Sequence, residues 1–156
     1  MKKVMFIAST GGHLDELLQL KPMFSKYDYH LVTEKDKSTK KLKEEYNKKI
    51  SYLVYGTRKR KLIYPVILIY NTIKSMGLYI KYRPKYIVTT GTHTAGPMCC
   101  IGKIFGSKII YIETFASVNK KTATGKIIYR FADLFIVQWE SMLELYPKAV
   151  LGGSIY

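Results

Sequence analysis

The sequence predicts an α/β fold, a doubly wound parallel sheet in a single domain. Six short apolar, β-branched runs alternate with stretches of helical character along the chain. At 156 residues, 47% apolar and 13% aromatic, the chain can bury one sizeable core and is too apolar for a disordered segment. Three polar segments, two of them rich in Gly and Thr, each follow a strand, which places them together at one edge of the predicted sheet.

The elements follow in order. The first strand is expected at about 3–9 (KVMFIAS), too short an apolar run for a signal peptide, and it leads directly into "STGGH" at 9–13. A helix is expected at 13–26, then a strand at 28–34 (DYHLVTE) and a helix at 38–48. The many cations of 35–49 read as an ordinary solvated helix face. A third strand at 50–55 precedes a long apolar helix at 63–82. The fourth strand, 86–90 (YIVTT), opens into "TTGTHTAGP" at 89–97 and a helix at 95–106. The fifth, 108–113 (KIIYIE), opens into "ETFASVN" at 113–119, and a helix follows at 123–132. A sixth strand at 134–138 and a short helix at 140–146 complete the pattern. Neither a repeat nor a low-complexity linker divides the chain.

In the common Rossmann-like strand order 3-2-1-4-5-6, strands 1 and 4 are neighbours. Their helices leave on opposite faces, and ligands bind in the crevice between them. The segments at 9–13, 89–97 and 113–119 then face one site. Gly11 and Gly12 permit a tight turn and close backbone approach, although the pattern is not that of a dinucleotide loop. His13 falls in the first helical turn, where the positive end of the helix favours the neutral, proton-accepting ring. Gly91, Thr92, His93 and Thr94 form a second loop whose N–H and O–H groups suit a diphosphate or a sugar, with helix capping by Thr92 or Thr94 as the plainer role. Glu113 ends a strand that should be buried on both faces; it suits sugar hydroxyls, orientation of a base, or an ion pair. Asp133 is expected to cap or pair. Cys99 and Cys100 fall in an apolar helix and read as core of a reduced, cytosolic chain. No spacing of His, Cys, Asp or Glu fits a metal site.

The net charge of +15 asks for an anionic partner, and its placement is uneven: between Tyr46 and Ile112 there are twelve Lys or Arg and no acid. Arg58, Lys59, Arg60 and Lys61 precede the 63–82 helix. On that helix Asn71, Lys74 and Lys81 share one face; Val66, Ile69, Ile73, Met76 and Ile80 share another, suited to covering the sheet. Ile63, Tyr64, Ile67, Tyr70 and Tyr79 are left without an internal partner. The longest apolar run, 62–70, contains Pro65 and is far short of the roughly 20 residues of a span, so the surface of Arg58–Lys61, Ile63, Tyr64, Ile67 and Tyr70 is read as lying in a membrane interface. Nucleic acid is the other anionic partner the charge allows, but no helix-turn-helix, zinc or single-strand-binding signature is present.

Four stretches in order, "STGGH" (9–13), "RPKYIVTTGTHTAGP" (83–97), "GSKIIYIETFASVN" (106–119) and "TGKIIYRFADLFIVQW" (124–139), resemble one family along nearly the whole chain. It is the asparagine-linked glycosylation protein fourteen family, the membrane-associated subunit of a two-part UDP-GlcNAc transferase, with bacterial relatives in capsule and exopolysaccharide synthesis. The resemblance implies the N-terminal, acceptor-binding half of a GT-B glycosyltransferase of MurG type. It implies a separate donor-binding subunit that holds most of the UDP-sugar, a polyprenyl-diphosphate-sugar acceptor, no cofactor or metal, and peripheral residence at the cytoplasmic face of the cell membrane. Carried onto this sequence, Gly11, Gly12 and His13 match the first loop, Gly91, Thr92 and Thr94 the second, and Glu113 the strand-end acid. His93 departs from the pattern, standing where a small residue is expected. The eukaryotic members' N-terminal membrane helix is not seen here, which leaves anchoring to the 57–85 surface. A scaffold that docks and enhances a complete transferase is the alternative.

Overall fold

The computed structural model describes residues 1–56 and 62–155. Strands β1 (Lys3–Ala8), β2 (Asp28–Lys35), β3 (Ile50–Val54), β4 (Tyr86–Gly91), β5 (Lys108–Ile112), β6 (Leu134–Val137) and β7 (Val150–Leu151) pair throughout in parallel, in the order β3-β2-β1-β4-β5-β6-β7. The predicted order holds, and β7 is an addition. Two residues are too short to leave a periodic signal.

The helices are shorter than the sequence suggests. The 13–26 stretch divides into α1 (Gly12–Leu18) and α2 (Lys21–Phe24), with Pro22 in the first turn of the second. The 38–48 stretch contracts to α3 (Leu42–Tyr46) and a 3₁₀ turn (Asn47–Lys49). Next come α4 (Tyr64–Tyr82), α5 (Ala95–Ile104), α6 (Ala123–Ile128) and α7 (Ser141–Leu145).

A parallel sheet needs cover on both faces, which is why its central strands read as unbroken apolar runs. Met5 and Ile7 of β1 pack with Ile87, Met98, Ile109 and Phe135 beneath α4–α7. Val4 and Phe6, pointing the other way, pack with Leu14, Leu17, Phe24 and Tyr46 beneath α1–α3. That second cover stops short. Beyond Phe6 and Met23, an open groove of about 370 Å³ runs across the sheet, lined by Val88, Ile110, Ile112, Leu134 and Ile136.

Helix α4 is turned relative to its expected orientation. Val66, Ile69, Ile73 and Ile80 are exposed, at 66, 62, 68 and 57%, while Asn71, Ser75 and Tyr79 are buried. The cause is polar. Asn71 donates to the carbonyl of Val54 and accepts from its N–H, both at 2.8 Å, which closes the end of the edge strand β3. Tyr79, expected to lack a partner, bonds Ser107 Oγ at 2.9 Å. A second correction concerns the cysteines: Cys99 is core, but Cys100 is exposed. Asp133 pairs as expected. Burial pushes its carboxyl up, but the N–H of Ile109 and the ammonium groups of Lys108 and Lys103 outweigh that and hold it at about 2.

Candidate functional site

The parallel order brings the exits of β1, β2 and β4 to one edge. There Ser9, Thr10, His13, Glu34, Tyr55, Gly56, Thr92 and His93 line an open pocket of about 360 Å³. The first two loops of the sequence prediction therefore meet. Ser9 donates its N–H to the carbonyl of Gly91 at 3.2 Å and accepts from the N–H of Thr92 at 3.4 Å, so the loops are tied by backbone as well as side chains.

The His13 ring is held from the neighbouring strand. Its Nδ1 lies 2.8 Å from the carbonyl oxygen of Thr90. A carbonyl only accepts, so Nδ1 carries a proton, and in the neutral ring Nε2 is the acceptor. In return the hydroxyl of Thr90 donates to the carbonyl of His13 at 2.5 Å. The glycine beside them is required. Gly91 has φ of +102°, and a Cβ there would sit 3.2 Å from Tyr111 Oη and 3.4 Å from His13 Nδ1. Gly11, with φ of +82°, turns the chain into α1, and a Cβ there would meet open space.

In the second loop the capping expectation is not met. Thr94 stands at the start of α5, yet its hydroxyl donates to Glu34 and not to the helix N–H groups. Thr92 places its hydroxyl 3.5 Å from that of Thr124. His93 donates Nε2–H to the carbonyl of Gly56 at 3.0 Å and packs edge-on against Tyr64, ring centroids 5.4 Å apart. This contact joins the pocket to the first turn of α4. Tyr64 and Ile67 are therefore half-buried, whereas Ile63 and Tyr70 are exposed as expected. Arg58, Lys59, Arg60 and Lys61 lie outside the described residues.

Glu113 does not line this pocket. Its carboxylate is 1% exposed and is occupied within the chain. It accepts from Thr122 Oγ1 at 2.9 Å, Tyr146 Oη at 3.0 Å, the N–H of Thr114 at 3.2 Å and Tyr111 Oη at 3.4 Å. Burial first, and then the charge of Glu113, push the phenols of Tyr111 and Tyr146 up, so both remain donors. Thr122 also caps α6, through Gly125 N–H at 2.9 Å. Glu113 thus fixes the β5–α6 connection and reaches the His13 region through Tyr111.

Two further buried acids escaped the sequence reading. Glu16, one turn after His13, accepts from Thr114 Oγ1 and Phe115 N–H, both at 2.8 Å. Glu34 ends β2 and accepts from Thr10 and Thr94. With Glu113 they form three carboxylates, 1–3% exposed, each joining two segments of the edge. Among the described residues none of the three pairs with Lys or Arg. For Glu34 the available signal was position: an acid at the buried end of a strand must be held by neighbouring donors; Glu16, inside α1, carried no such signal. Among the described residues no three His, Cys, Asp or Glu side chains come together as a metal site.

Known proteins can now be set beside this geometry. Residues 4–155 match the family model described as oligosaccharide biosynthesis protein Alg14 like. The human UDP-N-acetylglucosamine transferase subunit ALG14 is 25% identical, the match covering 97% of this chain and 82% of that one. The ALG14 subunits of Yarrowia lipolytica and Kluyveromyces lactis are 27% and 30% identical, over 98% and 97% of this chain and 81% and 78% of theirs. In structure, Acinetobacter baumannii MurG superposes with a TM-score of 0.73 at 18% identity, over 90% of this chain. Staphylococcus aureus MnaA with UDP superposes with 0.76 at 14%, over 99%. The chain spans only 43% and 46% of those two structures, and at such identity they establish the shared Rossmann-like fold alone.

Proposed function

Since this chain belongs to the family of Alg14-like oligosaccharide biosynthesis proteins, we propose that it is the acceptor-binding, membrane-recruiting subunit of a two-component UDP-sugar glycosyltransferase. Its acceptor is a polyprenyl-diphosphate-linked sugar, extended in capsular or exopolysaccharide synthesis. The whole chain serves as the acceptor-side domain, and a separate donor-binding subunit holds most of the UDP-sugar. The observation that carries the reading is the His13 imidazole. Its protonated Nδ1 is spent on Thr90, which leaves Nε2 to take the proton of an acceptor hydroxyl as that oxygen attacks the donor's anomeric carbon. The diphosphate lies against the Gly11–Gly12 turn and the hydroxyl of Thr92, with His93 beside the sugar; Gly91 and Thr94 shape the second loop from within, the Gly91 N–H being taken by Thr89 Oγ1 and the Thr94 hydroxyl by Glu34. Glu113 acts from behind, holding the β5–α6 connection in place.

Two surfaces support the subunit role. Ile63, Val66, Ile69, Tyr70, Ile73 and Ile80 give α4 an outward apolar stripe with no acid on it, which suits insertion into an anionic membrane interface. No helix among the described residues is long and apolar enough to cross a membrane. Peripheral binding at the cytoplasmic face is the corresponding location. The groove beyond Phe6 leaves part of a parallel sheet without cover, which fits a chain completed by another subunit.

The test is transfer of labelled sugar from UDP-sugars to polyprenyl-diphosphate-sugar, by this chain alone and with a donor-binding partner. Transfer that requires both subunits is the expected result. Transfer by this chain alone would contradict the division of labour. Full activity of the partner alone, merely increased by this chain, would favour a scaffold.

A further inference from the structure

The pocket has a charged floor that the function above does not use. Glu34 is the penultimate residue of β2, and its side chain is 1% exposed. β1 lies between β2 and β4 in the sheet, so the loops leaving β1 and β4 flank the end of Glu34. One carboxylate oxygen accepts from the N–H and the hydroxyl of Thr10, each at 3.2 Å. The other accepts from the hydroxyl of Thr94 and lies 3.7 Å from His93 Nε2. Among the described residues no Lys or Arg forms an ion pair with it.

A buried carboxylate is costly unless its oxygens are met by donors, and here the donors come from both glycine loops. A hydroxyl or an amide in this place would accept fewer bonds and fix the loops less tightly. The charge has a second effect: with no such ion pair, it disfavours a phosphate nearby and tolerates a neutral, hydroxyl-rich group. We infer that Glu34 is a positioning residue that braces the Ser9–His13 loop against the Gly91–Thr94 loop, so that the acceptor's sugar, and not its diphosphate, lies over Thr10, Glu34 and His93. The inference rests on the acceptor-binding reading of these loops.

The experiment measures binding to the full chain of a short-chain prenyl-diphosphate–N-acetylglucosamine and of the same prenyl diphosphate without sugar. Glu34→Gln keeps the shape and removes the charge. It should weaken the sugar-bearing ligand about tenfold and leave the bare diphosphate within about twofold, because charge-assisted bonds are roughly twice as strong as neutral ones. Equal weakening of both ligands, or of neither, overturns the assignment. If Glu34→Gln fails to fold, Thr94→Val removes one donor and leaves the carboxylate, with the same two outcomes. If the wild-type chain binds neither ligand, the acceptor reading itself fails. The brace is then judged by amide exchange: Glu34→Gln should speed exchange at Thr10 and in 92–96 and leave β6 unchanged, and no change in those loops overturns it.

Discussion

His13 and Thr90 are bonded twice, each through its side chain to the other's backbone carbonyl, at 2.8 and 2.5 Å. The pair locks the first turn of α1 to the end of β4, 77 positions along the chain. It also makes the orientation of one imidazole a property of the sheet, since Thr90 sits on a central strand. On the proposed reading, a base held in this way needs no rearrangement before it accepts a proton.

Gly91 is the position where this arrangement tolerates least change. Gly91→Ala puts a methyl group 3.2 Å from Tyr111 Oη and 3.4 Å from His13 Nδ1, on a backbone with φ of +102°. It should destabilise the fold by about 1–3 kcal/mol and displace the His13 ring. Gly12→Ala, where the added methyl meets nothing within 4 Å and φ is not positive, should stay within about 0.5 kcal/mol of the parent. Urea unfolding of the two variants makes the comparison.

The outward face of α4 predicts a separation of membrane binding from stability. Ile69→Glu with Ile73→Glu replaces two side chains that are 62 and 68% exposed. Sedimentation with anionic vesicles should fall about tenfold or more, because two apolar groups that would insert into the interface are lost and two anions are set against an anionic surface. The thermal midpoint should stay close to that of the parent. Unchanged sedimentation would remove α4 from the membrane contact.

His30 predicts a pH dependence of stability. Burial first, and then the charge of Lys81, lower it from 6.5 to about 4, with Asp28 opposing; its ring stacks on Tyr82 at 3.7 Å and bonds Ser51 at 2.9 Å. Between about pH 6.5 and 4 the unfolded chain binds a proton that the folded chain refuses. The contribution is therefore complete above pH 6.5 and is lost as the pH falls toward 4, amounting to about 2 kcal/mol after allowance for solvent screening. Thermal unfolding across that range should show the loss, and His30→Gln should flatten it.

The sheet order and the two glycine loops were legible because their signals are local. β-branched runs mark the strands, and Gly, Thr and His directly after β1 and β4 mark the edge. The orientation of α4 was not legible, because it depends on one amide. Asn71 reads as a solvent residue until the open end of β3 supplies both of its partners. Glu34 was hidden for a related reason. In "TEKDK" it looks like one more solvated charge, and only the placement of β1 between β2 and β4 brings Thr10 and Thr94 to it. Glu113 was visible as an acid out of place, and Tyr111 and Thr114 are its neighbours in sequence, but Thr122 and Tyr146 come from segments whose approach no spacing announces.

The most direct measurement is sugar transfer to polyprenyl-diphosphate-sugar by the reconstituted two-subunit assembly carrying His13→Ala, with acceptor binding measured on the same preparation. Loss of the proton acceptor should lower turnover by about 10² or more, with the assembly still formed and acceptor affinity changed far less. Turnover within a fewfold of the parent would contradict the account and leave this chain a scaffold.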